Sequence, residues 1–295
     1  MANFLDSDPL KLTSFLMNSS LSRGVKLHQP AEATSVVTDP ATGTVTSVKV
    51  VNLNTRQESI IPCANLVVCT GPWTPHTFKE LFPLARASIP VSPLAGYSLV
   101  VRSPRHTLAH EREKYGGCCH AVFATHPVSC GFSPEIFSRQ GGNIYIAGLN
   151  DSDIPLPERA EDTVKLRDKA DMAKLKAVAV RLMGRLPGGT DESTDDTVNI
   201  DDLEVVREGL CFRPVTRRGT PVVSKVVPSL LGNKVYTRSE QTNANGGVFV
   251  ATGHGPWGIS LSLGTGKVVA EMIEGTKASA DVSGLGIEGL RKGPS

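Results

Sequence analysis

Residues 246–260 read GGVFVATGHGPWGIS, and this stretch decides the fold. Residues 248–250 form a short apolar run, which predicts a buried strand. A glycine-rich turn follows, and residues 260–274 then carry a helical pattern that Gly275 ends. Glycines let a backbone approach a ligand closely, and a helix N-terminus supplies free N–H groups and partial positive charge. The stretch therefore predicts either a ligand-binding edge or a tight turn that packs the last helix on a sheet.

The same turn spells G-x-G-x-x-G, through Gly253, Gly255 and Gly258. In a dinucleotide-binding unit this pattern opens a strand–helix–strand motif, and an acidic residue follows about 20 positions later. Residues 276–295, which come next, are rich in Gly, Ser and Lys and show no second strand pattern. The position of the turn therefore argues against a dinucleotide fingerprint.

The overall composition predicts a globular protein. The chain has 295 residues, of which 40% are hydrophobic and 20% charged, enough for one large domain or two ordinary ones. A net charge of +2 argues against nucleic acid as a partner, and no apolar run approaches the ~20 residues of a membrane span. The N-terminus lacks a secretory signal pattern. Six cysteines without C-x-x-C spacing indicate free thiols in a reducing, cytoplasmic compartment.

The same pattern of a strand followed by a glycine turn also occurs much earlier in the chain. Residues 65–69 are apolar and run into Thr70, Gly71, Pro72 and Trp73, which again predicts a ligand-binding edge. The pattern elsewhere predicts helices over 9–22 and 161–185, strands over 25–28, 33–38, 45–53, 89–102, 119–125, 131–139 and 143–149, extended structure over 198–220 and a loop over 103–117.

These elements predict an α/β (α+β) fold with discontinuous domains. Residues 1–87 and 229–280 look like two parts of one α/β domain, and 88–228 like an inserted mixed or antiparallel sheet. An insert of this kind lies over the ligand edge, where substrate pockets are common. Residues 281–295 are predicted to be a flexible tail.

Three separated motifs carry a family resemblance: residues 65–73, residues 212–221 (FRPVTRRGTP), and residues 251–267 (ATGHGPWGISLSLGTGK). Together they resemble the FAD-dependent oxidoreductases of the D-amino-acid oxidase, glycine oxidase and sarcosine oxidase superfamily, in the style of its fungal members. The likeness spans roughly residues 10–277. It implies that the α/β domain is an incomplete, Rossmann-like FAD-binding domain and that the inserted sheet binds an amine or amino-acid substrate. The implied reaction is hydride transfer from the carbon bearing nitrogen to the flavin.

The resemblance also assigns residues to the cofactor. The adenine would lie near Val37, and the pyrophosphate or ribityl chain along Thr70, Gly71 and Trp73. The flavin ring would face the turn and the start of the last helix, at Gly253, Gly255, Pro256, Trp257, Gly258 and Ile259. A reduced flavin gathers negative charge, which a helix N-terminus stabilises.

Three further side chains have a functional and a structural interpretation. Arg213 holds the substrate carboxylate, or else caps a strand or pairs with a structural carboxylate. His254 tunes the flavin or bonds substrate, or is a turn residue satisfied by backbone. Cys211 precedes Thr216 by five residues, the spacing of a flavin-linked cysteine in sarcosine-oxidase-like members. The Thr-Pro-Asp that follows there is absent at Thr216-Arg217-Arg218, so a buried inert thiol is the alternative.

The family also begins with a strand and a G-x-G-x-x-G turn that residues 1–60 do not contain. Three interpretations follow: part of a working flavoenzyme that lacks an N-terminal segment, half of a split enzyme with a partner chain, or an inactive, flavin-free relative that acts in binding. Whether this chain alone is an enzyme stays open at this point. Without the missing strands, residues 25–38 and 248–251 are predicted to present bare strand edges.

Overall fold

The computed structural model describes residues 9–125, 131–139, 141–184, 200–238 and 246–287. The α-helices in those ranges are Pro9–Ser22 (α1), Thr74–Leu81 (α2), Leu108–Tyr115 (α3), Lys169–Met183 (α4) and Gly258–Glu274 (α5). Short 3-10 helices are Gly71–Trp73, Ala160–Leu166, Pro228–Leu230, Gly255–Trp257 and Ser283–Leu285.

The strands fall into three sheets. They are Ala31–Thr38 (β1), Val45–Asn52 (β2), Glu58–Pro62 (β3), Asn65–Val68 (β4), Ser92–Arg102 (β5), Ala121–Phe123 (β6), Glu135–Arg139 (β7), Asn143–Ala147 (β8), Asn150–Asp151 (β9), Glu204–Val215 (β10), Val222–Val226 (β11) and Gly247–Thr252 (β12). One sheet has the antiparallel order β1-β2-β3. The largest has the order β10-β5-β8-β7-β6, with β9 also on β5. The third has the order β11-β12-β4.

The chain divides into two compact units. Of the described residues, 9–15 and 94–212 form the first unit, and 16–93 and 213–287 form the second. Residues 213–228 group with the second unit because β11 pairs along its whole length with β12. The predicted boundary at 228 differs from this division, and the assignment of the two units to cofactor and substrate stays a prediction.

The first unit is built around the face of the large sheet that α4 covers. One side of α4 is buried through Met172, Leu175, Val178 and Ala179, at the spacing of one helix face. These side chains belong to one cluster with buried strand residues, among them Leu99 and Ile146. Alternation along the strands sends every second side chain into this cluster.

The second unit places its mixed sheet in the middle of its core. On one face, residues of β4, β11 and β12 pack with α2; they include Val68, Val222, Val248, Val250 and Phe78. On the other face, Val223 packs with Val268 and Val269 in the second half of α5. Because both faces are covered, β12 reads as a continuous apolar run, which is the signal that the sequence carries.

Three predicted elements are wrong in detail. Residues 25–28 pair with no strand in the described part of the chain, and Val25 and Leu27 are exposed. Within the predicted loop 103–117, α3 forms between Thr107, whose side chain accepts a hydrogen bond from the His110 N–H, and Gly116. The predicted helix 161–185 starts only at Lys169, because Asp168 caps it by accepting from two N–H groups.

Two expectations about the second unit also change. The prediction of a bare edge at residues 248–251 is wrong, because β12 is the middle strand, antiparallel to β11 and parallel to β4. The described part of the predicted tail, residues 281–287, is packed: Ile287 is 3% exposed and Val282 and Leu285 contact the α5 cluster. β3 was not predicted.

Candidate functional site

The carboxyl ends of two neighbouring parallel strands carry the same structure. β4 and β12 pair in parallel as far as Val68 and Val250. β4 leads into a 3-10 turn formed by Gly71–Trp73, and β12 into one formed by Gly255–Trp257. Each turn is a Gly-Pro-Trp tripeptide, followed directly by an α-helix. We call them the twin turns, and ligands of open α/β sheets bind at this end of parallel strands.

Glycine is required in the twin turns and at position 253 for different reasons. Gly71, Gly253 and Gly255 have φ angles of 58°, 77° and 55°, a region that other residues rarely adopt. A Cβ added at Gly71 meets no atom within 4 Å, and one at Gly255 meets only the Val215 side chain, at 4.0 Å. A Cβ at Gly253 would lie 2.7 Å from the Thr216 Cγ2 atom. Packing therefore requires Gly253, whereas Gly71 and Gly255 border open space that a ligand can enter.

The helices that follow the twin turns begin without side-chain caps. Trp73 precedes α2 and Trp257 precedes α5, and neither makes a side-chain hydrogen bond to its helix. Neither helix has an acidic residue in its first turn. By contrast, α3 and α4 in the first unit are capped by Thr107 and Asp168. At the start of α5, a helix of 17 residues, no capping side chain and no carboxylate compete with a carbonyl or anionic ligand for the positive end of the helix dipole.

His254 ties one twin turn to its helix. Its Nε2 atom lies 3.0 Å from the Oγ1 atom of Thr265, which is about two turns into α5. Burial lowers the pKa of the imidazole, because it penalises the charged form. The ring is therefore neutral at physiological pH and acts as a hydrogen-bonding link between turn and helix.

The predicted substrate and flavin-link residues lie two positions apart on β10. Arg213 is half-buried. Cys211 is exposed, between Leu210 and Phe212, whose side chains enter the core of the first unit. The alternative of a buried thiol at Cys211 is therefore wrong. The Thr216 hydroxyl donates to the Thr220 carbonyl at 2.6 Å, so it closes the turn after β10.

The remaining predicted residues are spread over the second unit. Thr70 Oγ1 bonds the hydroxyls of Thr74 and Thr77 beside the first twin turn. Val37 lies in a different sheet, on β1 opposite Ser47. The sequence interpretation missed Thr252, Thr74 and Thr265. The repetition of Gly-Pro-Trp was visible in the sequence and would have directed attention to the threonines around both copies.

Other classes of site are absent from the described residues. No group of three or more His, Cys, Asp or Glu side chains there is arranged to hold a metal ion. Among the helices described, none is both long and apolar enough to cross a bilayer. None of the five cysteines described forms a disulfide bond.

Comparison with known proteins assigns the family. Residues 5–272 match the FAD dependent oxidoreductase family, known as DAO. The chain belongs to this family. FAD is the family's cofactor, and the expected α/β class with an FAD-binding fold is confirmed. The family match gives no support to the alternative of an inactive, flavin-free relative.

Relatives with curated descriptions include two yeast proteins and a bacterial enzyme. C1F5.03c of Schizosaccharomyces pombe is 29% identical over 229 residues, which cover 76% of this chain and 46% of the relative. TDA3 of Saccharomyces cerevisiae is 25% identical over 235 residues, which cover 79% of this chain and 36% of TDA3. The D-amino acid dehydrogenase of Rhizobium rhizogenes is 24% identical over 228 residues, which cover 75% of this chain and 39% of that enzyme. The chain thus spans less than half the length of these relatives.

Solved structures show the same fold. The glycine oxidase of Geobacillus kaustophilus superposes with a TM-score of 0.62 at 20% identity, over 94% of this chain and 56% of that one. The iminodiacetate oxidase of Chelativorans sp. BNC1 gives 0.61 at 13% identity, over 93% and 57%. The L-proline dehydrogenase of P. horikoshii gives 0.59 at 15% identity, over 95% and 59%.

Proposed function

We propose that this chain forms the flavin-ring side of an FAD-dependent oxidoreductase that oxidises amines or amino acids. The observation that carries the proposal is the pair of twin turns at the carboxyl ends of β4 and β12, each with an open glycine and an uncapped helix. The family match and the relatives named above support the reaction class. When bound, FAD supplies the two-electron oxidation of the carbon–nitrogen bond.

The residues of the twin turns fit such a cofactor. Gly71, Gly255 and Gly258 leave space beside the backbone, since an added Cβ at the last would meet only His254, at 3.8 Å. The N–H groups at the start of α5 favour negative charge on a bound group. Neutral His254 holds the turn against α5 through Thr265. This assigns His254 to positioning in preference to substrate binding.

Arg213 is proposed to bind the substrate carboxylate. Its guanidinium has the planar fork that matches a carboxylate in a two-hydrogen-bond pair. It lies half-buried on β10, just before the turn closed by Thr216. A carboxylate held there would orient an amino-acid substrate, and orientation is the main contribution a protein makes when the cofactor carries out the difficult step.

Cys211 is proposed as the point of a covalent flavin link, because its thiol is exposed. Protein incubated with FAD and then precipitated with acid should keep its yellow colour. Cys211→Ser should release the colour into the supernatant, whereas Cys118→Ser, at another exposed thiol, should not. Release of all flavin from the wild-type chain would limit the proposal to non-covalent binding.

A further polypeptide is proposed to cover part of the second unit. It is either another segment of the same protein or a partner chain. Beyond the residues assigned to the flavin ring, residues 260–264 of α5 are all exposed, including Leu261 and Leu263. β4 ends the mixed sheet in the described residues, so its outer edge can accept another strand. Exposed apolar surface of this kind marks an interaction site. While it is uncovered, such a surface also promotes self-association of the chain, so replacement of Leu261 and Leu263 by Asp should reduce light scattering, and unchanged scattering would contradict the proposed role of this surface.

Tryptophan emission tests FAD binding directly. The chain has two tryptophans, Trp73 and Trp257, and each belongs to one twin turn. Addition of FAD should quench both, with saturation and with retention of flavin on gel filtration. ADP, which lacks the flavin ring, serves as the control. If FAD neither quenches the emission nor stays with the protein, the proposed site is wrong. Bound flavin can then be tested with amines and amino acids and an artificial electron acceptor.

A further inference from the structure

The carbonyl oxygen of Gly71, in the first twin turn, accepts hydrogen bonds from residues beside both twin turns. The Thr252 Oγ1 atom, at the end of β12, donates to it at 2.9 Å. The Thr74 Oγ1 atom, at the start of α2, donates to it at 2.7 Å. Gly71 belongs to the first twin turn, whereas Thr252 immediately precedes the glycine segment of the second. A side chain from one strand thus holds the turn of its neighbour.

Both threonine hydroxyls are buried. Thr252 is 2% exposed and Thr74 is fully buried. A buried hydroxyl without a hydrogen-bond partner destabilises the folded state. The bond to the Gly71 carbonyl therefore stabilises the position of each threonine side chain. The backbone ladder between β4 and β12 extends as far as Val68 and Val250. The hydrogen bond of Thr252 extends the connection between the two strands beyond this ladder, to where each strand leads into its turn.

Gly71 needs such support because its backbone is unusual. Its φ is 58°, and the space beside its Cα is open, so a ligand can approach the backbone closely there. Nothing on that open side packs against it within 4 Å of an added Cβ. Hydrogen bonds to its carbonyl therefore help to fix its peptide plane, and with it the spacing of the two turns.

We propose that Thr252 is a positioning residue that sets the relative position of the twin turns for cofactor binding. Its hydroxyl does not touch the cofactor; it acts through the carbonyl of Gly71. This inference rests on the function proposed above. It adds a residue outside both Gly-Pro-Trp tripeptides to the groups on which the affinity for FAD depends.

Thr252→Val tests the proposal because valine keeps the shape of threonine and removes the hydroxyl. The dissociation constant for FAD should rise about fivefold to tenfold, as expected for one hydrogen bond. The visible circular dichroism of the bound flavin should change. Thr252→Ser restores the hydroxyl and should restore both the affinity and the spectrum.

Thr44→Val is the matched control. Thr44 is buried to a similar extent in the same unit, and its hydroxyl accepts from Thr42 at 2.9 Å, in the turn before β2. The variant should lose stability as Thr252→Val does but keep the FAD affinity and the flavin spectrum of the wild type. Equal loss of FAD affinity in the two valine variants, or no rescue by Thr252→Ser, would overturn the proposal.

A second measurement needs no FAD. In a Trp257→Phe background, Trp73 is the single tryptophan and reports on the first twin turn, whose Gly71 carbonyl accepts the bond from Thr252. Thr252→Val should lower the anisotropy of its emission and increase its quenching by acrylamide, and Thr252→Ser should not. Unchanged emission would overturn the role of Thr252 even if FAD binds. A wild-type chain that binds no FAD, with the emission change present, would contradict the proposed function and leave the link between the turns established.

Discussion

Gly71 and Gly116 share a backbone φ of 58°, and a Cβ added to either would meet no atom within 4 Å. They differ in location: Gly71 opens the first twin turn, and Gly116 ends α3 in the other unit. An alanine at either position would have the same left-handed backbone and the same free space. The pair therefore separates the cost of backbone strain from the loss of a binding surface.

Gly71→Ala and Gly116→Ala should each lower the free energy of unfolding by about 1 kcal/mol, because a Cβ disfavours this φ. Only Gly71→Ala should weaken FAD binding, since its methyl group enters the space proposed for the cofactor. Urea denaturation gives the first quantity and FAD titration the second. A similar loss of affinity in Gly116→Ala would show that strain, and not occlusion, is responsible.

His254 should make stability depend on pH. Burial lowers its folded-state pKa below the value of about 6.5 expected in the unfolded chain. Between these two pKa values the unfolded chain binds more protons, so the contribution to stability is complete above pH 6.5 and declines as pH falls through that window. His254→Gln removes the titrating group.

Denaturation at pH 8 and pH 5.5 checks this expectation. The free energy of unfolding of the wild type, relative to that of His254→Gln, should be smaller at pH 5.5 than at pH 8. Thr265→Val removes the hydrogen-bond partner but keeps the imidazole, so the pH dependence should persist in it. A His254→Gln variant whose pH dependence equals that of the wild type would show that the His254 imidazole does not link stability to pH.

Helix α4 offers a matched pair for the core of the first unit. Leu175 is completely buried, and Leu182 on the same helix is 42% exposed. Leu175→Ala should cost roughly 2–5 kcal/mol because it leaves a cavity beside the large sheet. Leu182→Ala should cost about 1 kcal/mol or less. Equal midpoints of denaturation for the two variants would show that α4 does not pack as described.

Arg213→Ala should raise the KM for amino acids on the order of 10- to 100-fold, as expected for loss of charged hydrogen bonds. The corresponding amines without a carboxylate should be affected far less. Arg217, exposed in the turn after β10, supplies the control: Arg217→Ala removes the same charge nearby and should leave both KM values unchanged. If the KM for an amino acid and for its amine rise together in Arg213→Ala, carboxylate binding by Arg213 is refuted.

The sequence predicted the elements whose signals are local. β12 and α5 follow from a continuous apolar run, a glycine turn and Gly275, which ends the helix with a φ of 70°. α3 escaped prediction because its buried side is limited to Glu111, and its caps, Thr107 and Gly116, are equally typical of loops. The predicted start of α4 is too early because the helical periodicity does not reveal the cap at Asp168.

The candidate site shows the same limit more clearly. Gly71 and Gly255 were identifiable because a glycine turn after a strand is a local pattern. The parallel pairing that joins their strands is not local, and neither is the acceptor of the Thr252 hydroxyl. The sequence therefore predicted the parts of the twin turns but not that they are twins, nor which side chains connect them.

The distance along the chain between Thr252 and Gly71 has a consequence for synthesis on the ribosome. The two residues are 181 positions apart. At typical translation rates of about 5–20 residues per second, β12 is synthesised roughly 10–40 s after β4. The first unit, whose residues from 94 to 212 are made in that interval, can form its core while the second is still incomplete. The side of β4 that pairs with β12 thus stays open while some 181 residues are added, which makes β4 a natural binding site for chaperones.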